Sequence, residues 1–150
     1  MFRRRRAREV ALQVLYQDDL NKQLNPAIAD AFIDVRLATD DLRAFCRSLV
    51  AGVRRNRHEI DELLRKIADN WKLERMAAID RNVIRLGTFE ILFTETPDRI
   101  IINESIELAK RYGAKQSSQF VNGILDRVSN QHGKPEKRAA DVAKPTPEKH

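Results

Sequence analysis

The stretch "ERMAAIDRNVIRLGTFEILF" (residues 74–93) decides the fold, because as a helix it would carry apolar side chains on nearly every face. Its apolar residues recur at the three- and four-residue spacing of an α-helix. They are Met76, Ile79, Val83, Ile84, Leu86, Ile91 and Phe93. A helix that is apolar nearly all round must be buried. The sequence therefore predicts a central helix around which the other segments pack.

The segments before this stretch have the same helical spacing. The first helix carries one apolar stripe, formed by Ala7, Val10, Ala11, Val14 and Leu15. A second helix is expected to begin at Asn25 and Pro26, since asparagine is a good N-cap and proline suits the first helical position. A third begins after Thr39, Asp40 and Asp41, and a break near Asn56 would divide it into two helices.

The segments after residue 93 are also predicted to be helical. Three consecutive β-branched residues, 100–102, could start a strand, but the spacing after Pro97 continues at helical period. Gly113 stands where a left-handed C-terminal cap is expected. The last helix is expected to have Ser117 or Ser118 as its N-cap. With no alternating strand pattern along the chain, the predicted fold class is all-α.

Composition favours one globular domain in a reducing compartment. The chain has 150 residues, a formal charge of +6 and no apolar run long enough to span a bilayer. Polar residues interrupt every candidate secretory signal, so we expect a cytoplasmic protein that makes no membrane contact. Cys46 is the sole cysteine and is expected to be a small buried thiol. From Gly133 onward, prolines and mixed charge predict a disordered tail over residues 133–150.

Five arginines at the start of the first helix, Arg3, Arg4, Arg5, Arg6 and Arg8, form what we call the basic cluster. They do not share one helical face, so we expect this helix start to project beyond the core. Positive charge at a helix N-terminus opposes the macrodipole, so helix stability does not explain why the basic cluster is there. Guanidinium groups suit phosphate, which favours an RNA or DNA backbone as partner over a merely solvated terminus.

Tyr112 follows Lys110 and Arg111, so its ring would stack on an unpaired base or simply plug the helix end.

Residues that could carry catalysis are not grouped along the sequence. The three histidines have no metal-ligand spacing, and the five glycines form no nucleotide-binding pattern. We therefore predict that the protein is not an enzyme and holds no metal.

Three stretches together resemble the NusB family of bacterial transcription antitermination factors. They are "RRRAREVALQVLYQ" (4–17), "IDRNVIRLGTFEILF" (79–93) and "INESIELAKRYGAKQSSQFVNGILDRV" (102–128). The resemblance implies about seven helices in two packed bundles, with residues 1–132 forming the RNA-binding domain. It also implies binding of the boxA element of nascent ribosomal RNA together with the ribosomal protein NusE, as part of the transcription elongation complex. No cofactor is implied.

The resemblance also assigns roles to individual residues. The implied RNA-binding residues are the basic cluster together with Tyr112, Gln116 and Phe120, and the implied protein-partner residues are Tyr16 and Asp80. Phe120 lies on the apolar stripe of the last helix and would otherwise be assigned to the core. Lys115 and Gln116 replace acidic residues that the family often has.

Two other functions remain open at this stage, and so does a homodimer. One is the detached RNA-binding domain of a ribosomal RNA methyltransferase, although the chain has no glycine-rich cofactor site. The other is a helical DNA-binding regulator, although the last helix is apolar on the face that a recognition helix exposes.

Overall fold

A computed structural model describes residues 2–23, 25–68 and 72–134. These residues form six α-helices and one short 3-10 helix, and none of them lies in a strand, which confirms the all-α prediction. The elements are α1 (Phe2–Leu20), α2 (Pro26–Arg36), α3 (Asp40–Ile67), the 3-10 helix (Leu73–Arg75), α4 (Ala78–Phe93), α5 (Asp98–Tyr112) and α6 (Ser117–His132).

Helix α4 is the centre of the molecule, as its sequence predicted. Every residue from Asn82 to Ile91 is buried. α4 packs on α5 and α6 to form one helical group, and it also contacts α1 and α3, which pack with α2 in the other group. The two groups therefore share α4, and the core is continuous through it.

Helix α3 runs without interruption for 28 residues, so the suggested break near Asn56 is wrong. The side-chain amide of Asn56 donates to the carbonyl of Gly52 one turn earlier, at 2.8 Å, and stays within the helix. The buried stripe also passes through this point to Ile60 and Leu64. Continuous burial on one face keeps the helix intact through this polar stretch.

Two of the predicted helix ends differ from expectation. Asn25 does cap α2, accepting from the backbone N–H of Ala27 at 2.9 Å. Gly113, however, ends α5 with φ −95°, outside the left-handed region. A Cβ at Gly113 would lie 2.6 Å from Oγ of Ser117, so glycine is required here by close approach. The N-cap residue of α6 is Gln116 and not Ser117 or Ser118. Ser117 is the first residue of the helix, and its hydroxyl accepts from the backbone N–H of Ala114.

Packing continues into the first two residues of the predicted tail. Gly133 is buried, and Nζ of Lys134 donates to the carbonyls of Glu90 and Ile91 and to the buried carboxylate of Asp98. The remainder of the predicted tail, residues 135–150, lies outside the described residues. Cys46 is buried as expected, and burial raises the pKa of its thiol to about 12.

Candidate nucleic-acid interface

Two arginines of the basic cluster are exposed at the start of α1. Arg3 lies 3.4 Å from the carboxylate of Asp41 and from the hydroxyl of Thr39, at the start of α3. The side chains of Arg3 and Asp41 are both about two-thirds exposed. Arg4 places its guanidinium 4.3 Å from the centre of the Phe45 ring. Exposed pairs of this kind are weak, so both side chains are available to an anionic ligand.

Two other arginines of the cluster hold α1 against its neighbours. Arg5 donates to both carboxylate oxygens of Glu104 on α5, at 3.0 and 2.9 Å, and this hydrogen bonding raises the pKa of Arg5. Arg8 donates to both oxygens of Glu90 on α4, at 2.8 and 2.7 Å. The side chains of Arg8 and Glu90 are only 4% and 2% exposed. The expectation that this helix start projects beyond the core is therefore wrong.

The remaining arginine of the cluster belongs to a bridge between α1 and α5. Arg6 donates to one oxygen of Glu9 at 3.2 Å, and the other oxygen of Glu9 lies 3.8 Å from Nε of Arg111. Arg111 in turn lies 5.6 Å from the centre of the Tyr112 ring. The bridge brings the basic start of α1 and the basic end of α5 together in one surface.

The residues assigned to base contacts lie around the α5–α6 turn. Tyr112 and Phe120 are both half-buried and pack against the core, Tyr112 at the end of α5 and Phe120 on α6. Gln116 is exposed immediately before α6. Tyr112 is thus connected to the basic cluster through Arg111, whereas Gln116 and Phe120 follow on the other side of the turn.

Tyr16 lines an apolar groove of about 480 Å³ between α1, α2, the start of α4 and the end of α5. Other lining residues are Leu12, Gln13, Ile28, Phe32, Ile79 and Tyr112. Ile28 is more than half exposed, although it is apolar. An apolar groove bordered by polar groups is a common form of protein-binding surface.

Asp80 directly follows Ile79, which lines this groove. Its Oδ1 is shielded from solvent and has no hydrogen-bond partner among the described residues. The nearby Arg81 and Arg85 pair with Asp19 and Asp61 instead of Asp80. A buried acceptor without a donor is costly, so this position favours a partner that supplies one.

Asp19 and Asp61 form an ion-pair network that sequence reasoning missed. Burial alone would raise the pKa of Asp19, but hydrogen bonds from Arg81 and Asn82 hold that pKa below its usual value. Asp61 is buried and accepts from Arg85 at 2.8 and 3.1 Å. No local spacing signals these pairs, since they join different helices.

Within the described part of the chain, no three His, Cys, Asp or Glu side chains are grouped so as to hold a metal ion. No helix there has the length and apolar composition needed to cross a membrane.

Comparison with known proteins decides the family. The family model described as the NusB family matches residues 5–130, from the basic cluster to the end of α6. The chain belongs to the NusB family. The resemblance seen in the three sequence stretches is thereby confirmed, together with the expectation that the protein is not an enzyme.

Individual NusB proteins agree with this assignment. The transcription antitermination protein NusB of Anaeromyxobacter dehalogenans is 43% identical over 129 residues, which cover 85% of this chain and 91% of that protein. The structure of T. maritima NusB has a TM-score of 0.80 and 34% identity, covering 91% of this chain and 96% of that one. A structure of antitermination factors NusB and NusE in complex with dsRNA has a TM-score of 0.78 and 25% identity, covering 87% of this chain and 98% of that one.

Proposed function

We propose that this protein acts in transcription antitermination in the cytoplasm by binding boxA-containing RNA together with NusE in the elongation complex. The observation that carries this proposal is the joined surface formed by the start of α1 and the end of α5. There, Arg3 and Arg4 are exposed and weakly paired, while Arg6 and Arg111 lie on either side of Glu9.

The chemistry of this surface suits RNA. Guanidinium groups neutralise phosphates and release counterions on contact. A tyrosine next to them offers a ring on which an unpaired base can stack. The proposed RNA contacts are therefore Arg3, Arg4 and Arg6, with Tyr112, Gln116 and Phe120 for the bases. Arg5 is held by Glu104 and has a smaller part in this proposal, and Arg8 is too deeply buried to reach a phosphate.

The apolar groove is the proposed NusE surface. Tyr16 contributes an aromatic wall, and Asp80 contributes an acceptor without a donor beside Ile79. A protein partner that places an apolar side chain in the groove and a donor near Asp80 would satisfy both features. Reversing the charge by Asp80→Arg is expected to weaken NusE binding while leaving the helical content unchanged.

Tyr112 belongs to both surfaces, because it lines the groove and also lies against Arg111. Bound NusE would therefore contact the side chain that is proposed to meet the RNA. This arrangement favours cooperative binding, in which each ligand orders Tyr112 for the other.

The DNA-binding alternative is not supported by α6, the helix that would have to enter the DNA major groove. The apolar face of α6 is buried against the core through Val121, Ile124, Leu125 and Val128. A recognition helix must present its reading face to the DNA major groove.

The decisive experiment compares two double variants that lose the same charge. Arg3→Ala/Arg4→Ala removes two proposed phosphate contacts. Arg55→Ala/Arg75→Ala removes two exposed arginines far along α3 and in the 3-10 helix. Labelled boxA RNA is titrated with each protein, with and without NusE, over a range of KCl concentrations.

The first variant should bind more weakly, and its salt slope should fall by about 1.4 if two contacts to single-stranded RNA are lost. The second variant should keep the slope of the parent protein. Equal behaviour of the two variants would refute the proposed surface, because binding would then depend on net charge alone.

A further inference from the structure

Glu9 is an acidic side chain inside a basic surface. Its residue exposure is 8%, and it lines a pocket of about 220 Å³ with Arg5, Glu107, Leu108, Lys110 and Arg111. One of its oxygens accepts from Arg6 and the other faces Arg111. It therefore connects the two helices that form the proposed RNA surface, in addition to the Arg5–Glu104 pair.

A surface built only to attract phosphate would not contain this group. A carboxylate repels a polyanion, and its burial costs desolvation energy that the neighbouring guanidinium groups must offset. Arg6 and Arg111 are 43% and 65% exposed, so neither needs Glu9 in order to be satisfied, because water would serve. The arrangement places one negative charge between two arginines of the basic surface.

We propose that Glu9 is a positioning residue that gives the RNA surface its selectivity, by holding Arg6 and Arg111 at a fixed spacing next to Tyr112. This inference rests on the proposed function, since it concerns how the same surface distinguishes boxA RNA from other RNA. An RNA whose phosphates and bases fit that spacing benefits from donors that are already placed, and a scrambled RNA does not. Without Glu9, both arginines turn freely to any phosphate.

The two RNAs should therefore respond differently when the charge of Glu9 is removed. In Glu9→Gln, a scrambled RNA should bind about threefold more tightly, which corresponds to one repulsive charge at about 7 Å in water. BoxA RNA gains the same attraction but loses the fixed donors, so its affinity should stay level or fall. The ratio of the two affinities should thus decrease by about threefold or more.

Glu107→Gln is the matched control. Glu107 lines the same pocket and carries the same charge as Glu9. Its ion pair, however, is with Lys110 on the same helix, at 3.9 Å, so it does not connect α5 to α1. Its removal should strengthen the binding of both RNAs by a similar factor and leave their ratio unchanged. Any loss of selectivity that Glu9→Gln shows beyond this control is then caused by the lost positioning of Arg6 and Arg111.

Arg111→Ala provides a second variant, in which the Glu9 side chain itself is kept. Arg111 is exposed and Glu9 still accepts from Arg6, so this truncation should lower the melting temperature only slightly. It should lower the affinity ratio, and adding Glu9→Gln to it should lower the ratio little further, because the two residues act together. A merely structural role for Glu9 would show no such coupling.

The titrations use the full chain with labelled boxA RNA and a scrambled RNA of equal length, at a fixed NusE concentration, with a melting curve for each variant. A parent protein that prefers boxA and a Glu9→Gln protein that keeps the same ratio would overturn this inference alone. A parent protein that binds both RNAs equally would overturn the proposed function as well.

Discussion

Replacing Arg8 with methionine tests whether the basic cluster contains a structural member. The guanidinium of Arg8 makes two short hydrogen bonds to Glu90, and both side chains are almost fully buried. Methionine fills part of the space but leaves the Glu90 carboxylate buried without its counter-charge. Breaking a buried pair in this way costs about 3–5 kcal/mol. That is a large part of the roughly 5–15 kcal/mol by which a folded domain is stable.

Thermal and urea denaturation, followed by far-UV circular dichroism, measure the effect. For a chain of this size 1 kcal/mol shifts the melting temperature by about 2–4 °C, so Arg8→Met should melt roughly 6–20 °C lower. The double variant Arg8→Met/Glu90→Leu replaces the whole pair by apolar groups and should recover most of the loss. At a temperature where the single variant is folded, its salt slope should match that of the parent protein, because Arg8 makes no phosphate contact in the proposed surface.

Two results would refute this reasoning. An Arg8→Met protein that melts within about 2 °C of the parent but loses RNA affinity would place Arg8 at the RNA and make the ion pair dispensable. A double variant as unstable as the single one would show that lost packing, and not the uncompensated Glu90 charge, is the cause.

Three further predictions follow from single residues. Tyr112→Ala should cost about 1–3 kcal/mol of RNA affinity at every salt concentration, while Tyr112→Phe, which keeps the ring, should bind nearly as the parent does. Because the pKa of Asp19 is lowered by folding, its contribution to stability is complete above the unfolded pKa of about 3.9 and is lost as pH falls through the lower folded pKa. Urea midpoints of Asp19→Asn and the parent protein should therefore differ at pH 7 and converge in acid. Gly52→Ala should destabilise the protein by about 1–3 kcal/mol, since its Cβ would meet a Phe89 ring carbon at 2.1 Å. Gly123→Ala places its Cβ in open space and should stabilise the protein by about 0.5–1 kcal/mol. Melting curves would contradict the packing argument if both variants shifted in the same direction.

The helices were predictable from sequence because their signal is local. The burial of α4 follows from apolar residues within one stretch of twenty, and the start of α2 follows from Asn25 and Pro26 alone. The false break near Asn56 shows the limit of this information. Polar residues there suggested an end, while the contacts that keep α3 continuous come from other helices.

The candidate site was predictable in composition and not in arrangement. The arginines pointed to phosphate, but sequence spacing cannot show that Arg8 pairs with Glu90, 82 positions away, or that Arg5 pairs with Glu104, 99 positions away. Glu9 was missed for the same reason, although one local signal existed. An acidic residue three positions after Arg6 stands where a helical ion pair forms, and its second partner, Arg111, emerges only from the packing of α5 on α1.

The buried and exposed arginines depend on each other. Arg5 and Arg8 attach the first turns of α1 to α5 and α4, so the backbone that carries Arg3, Arg4 and Arg6 is ordered before any ligand binds. A flexible basic tail would lose conformational entropy on meeting RNA, whereas a helix already fixed by ion pairs loses much less. The opposing macrodipole at this helix start costs a few tenths of a kcal/mol per charge, up to about 1, and pairing with Glu104 and Glu90 reduces this cost for Arg5 and Arg8. The basic cluster is thus better understood as a rigid surface, in which some guanidinium groups fix the positions of the others.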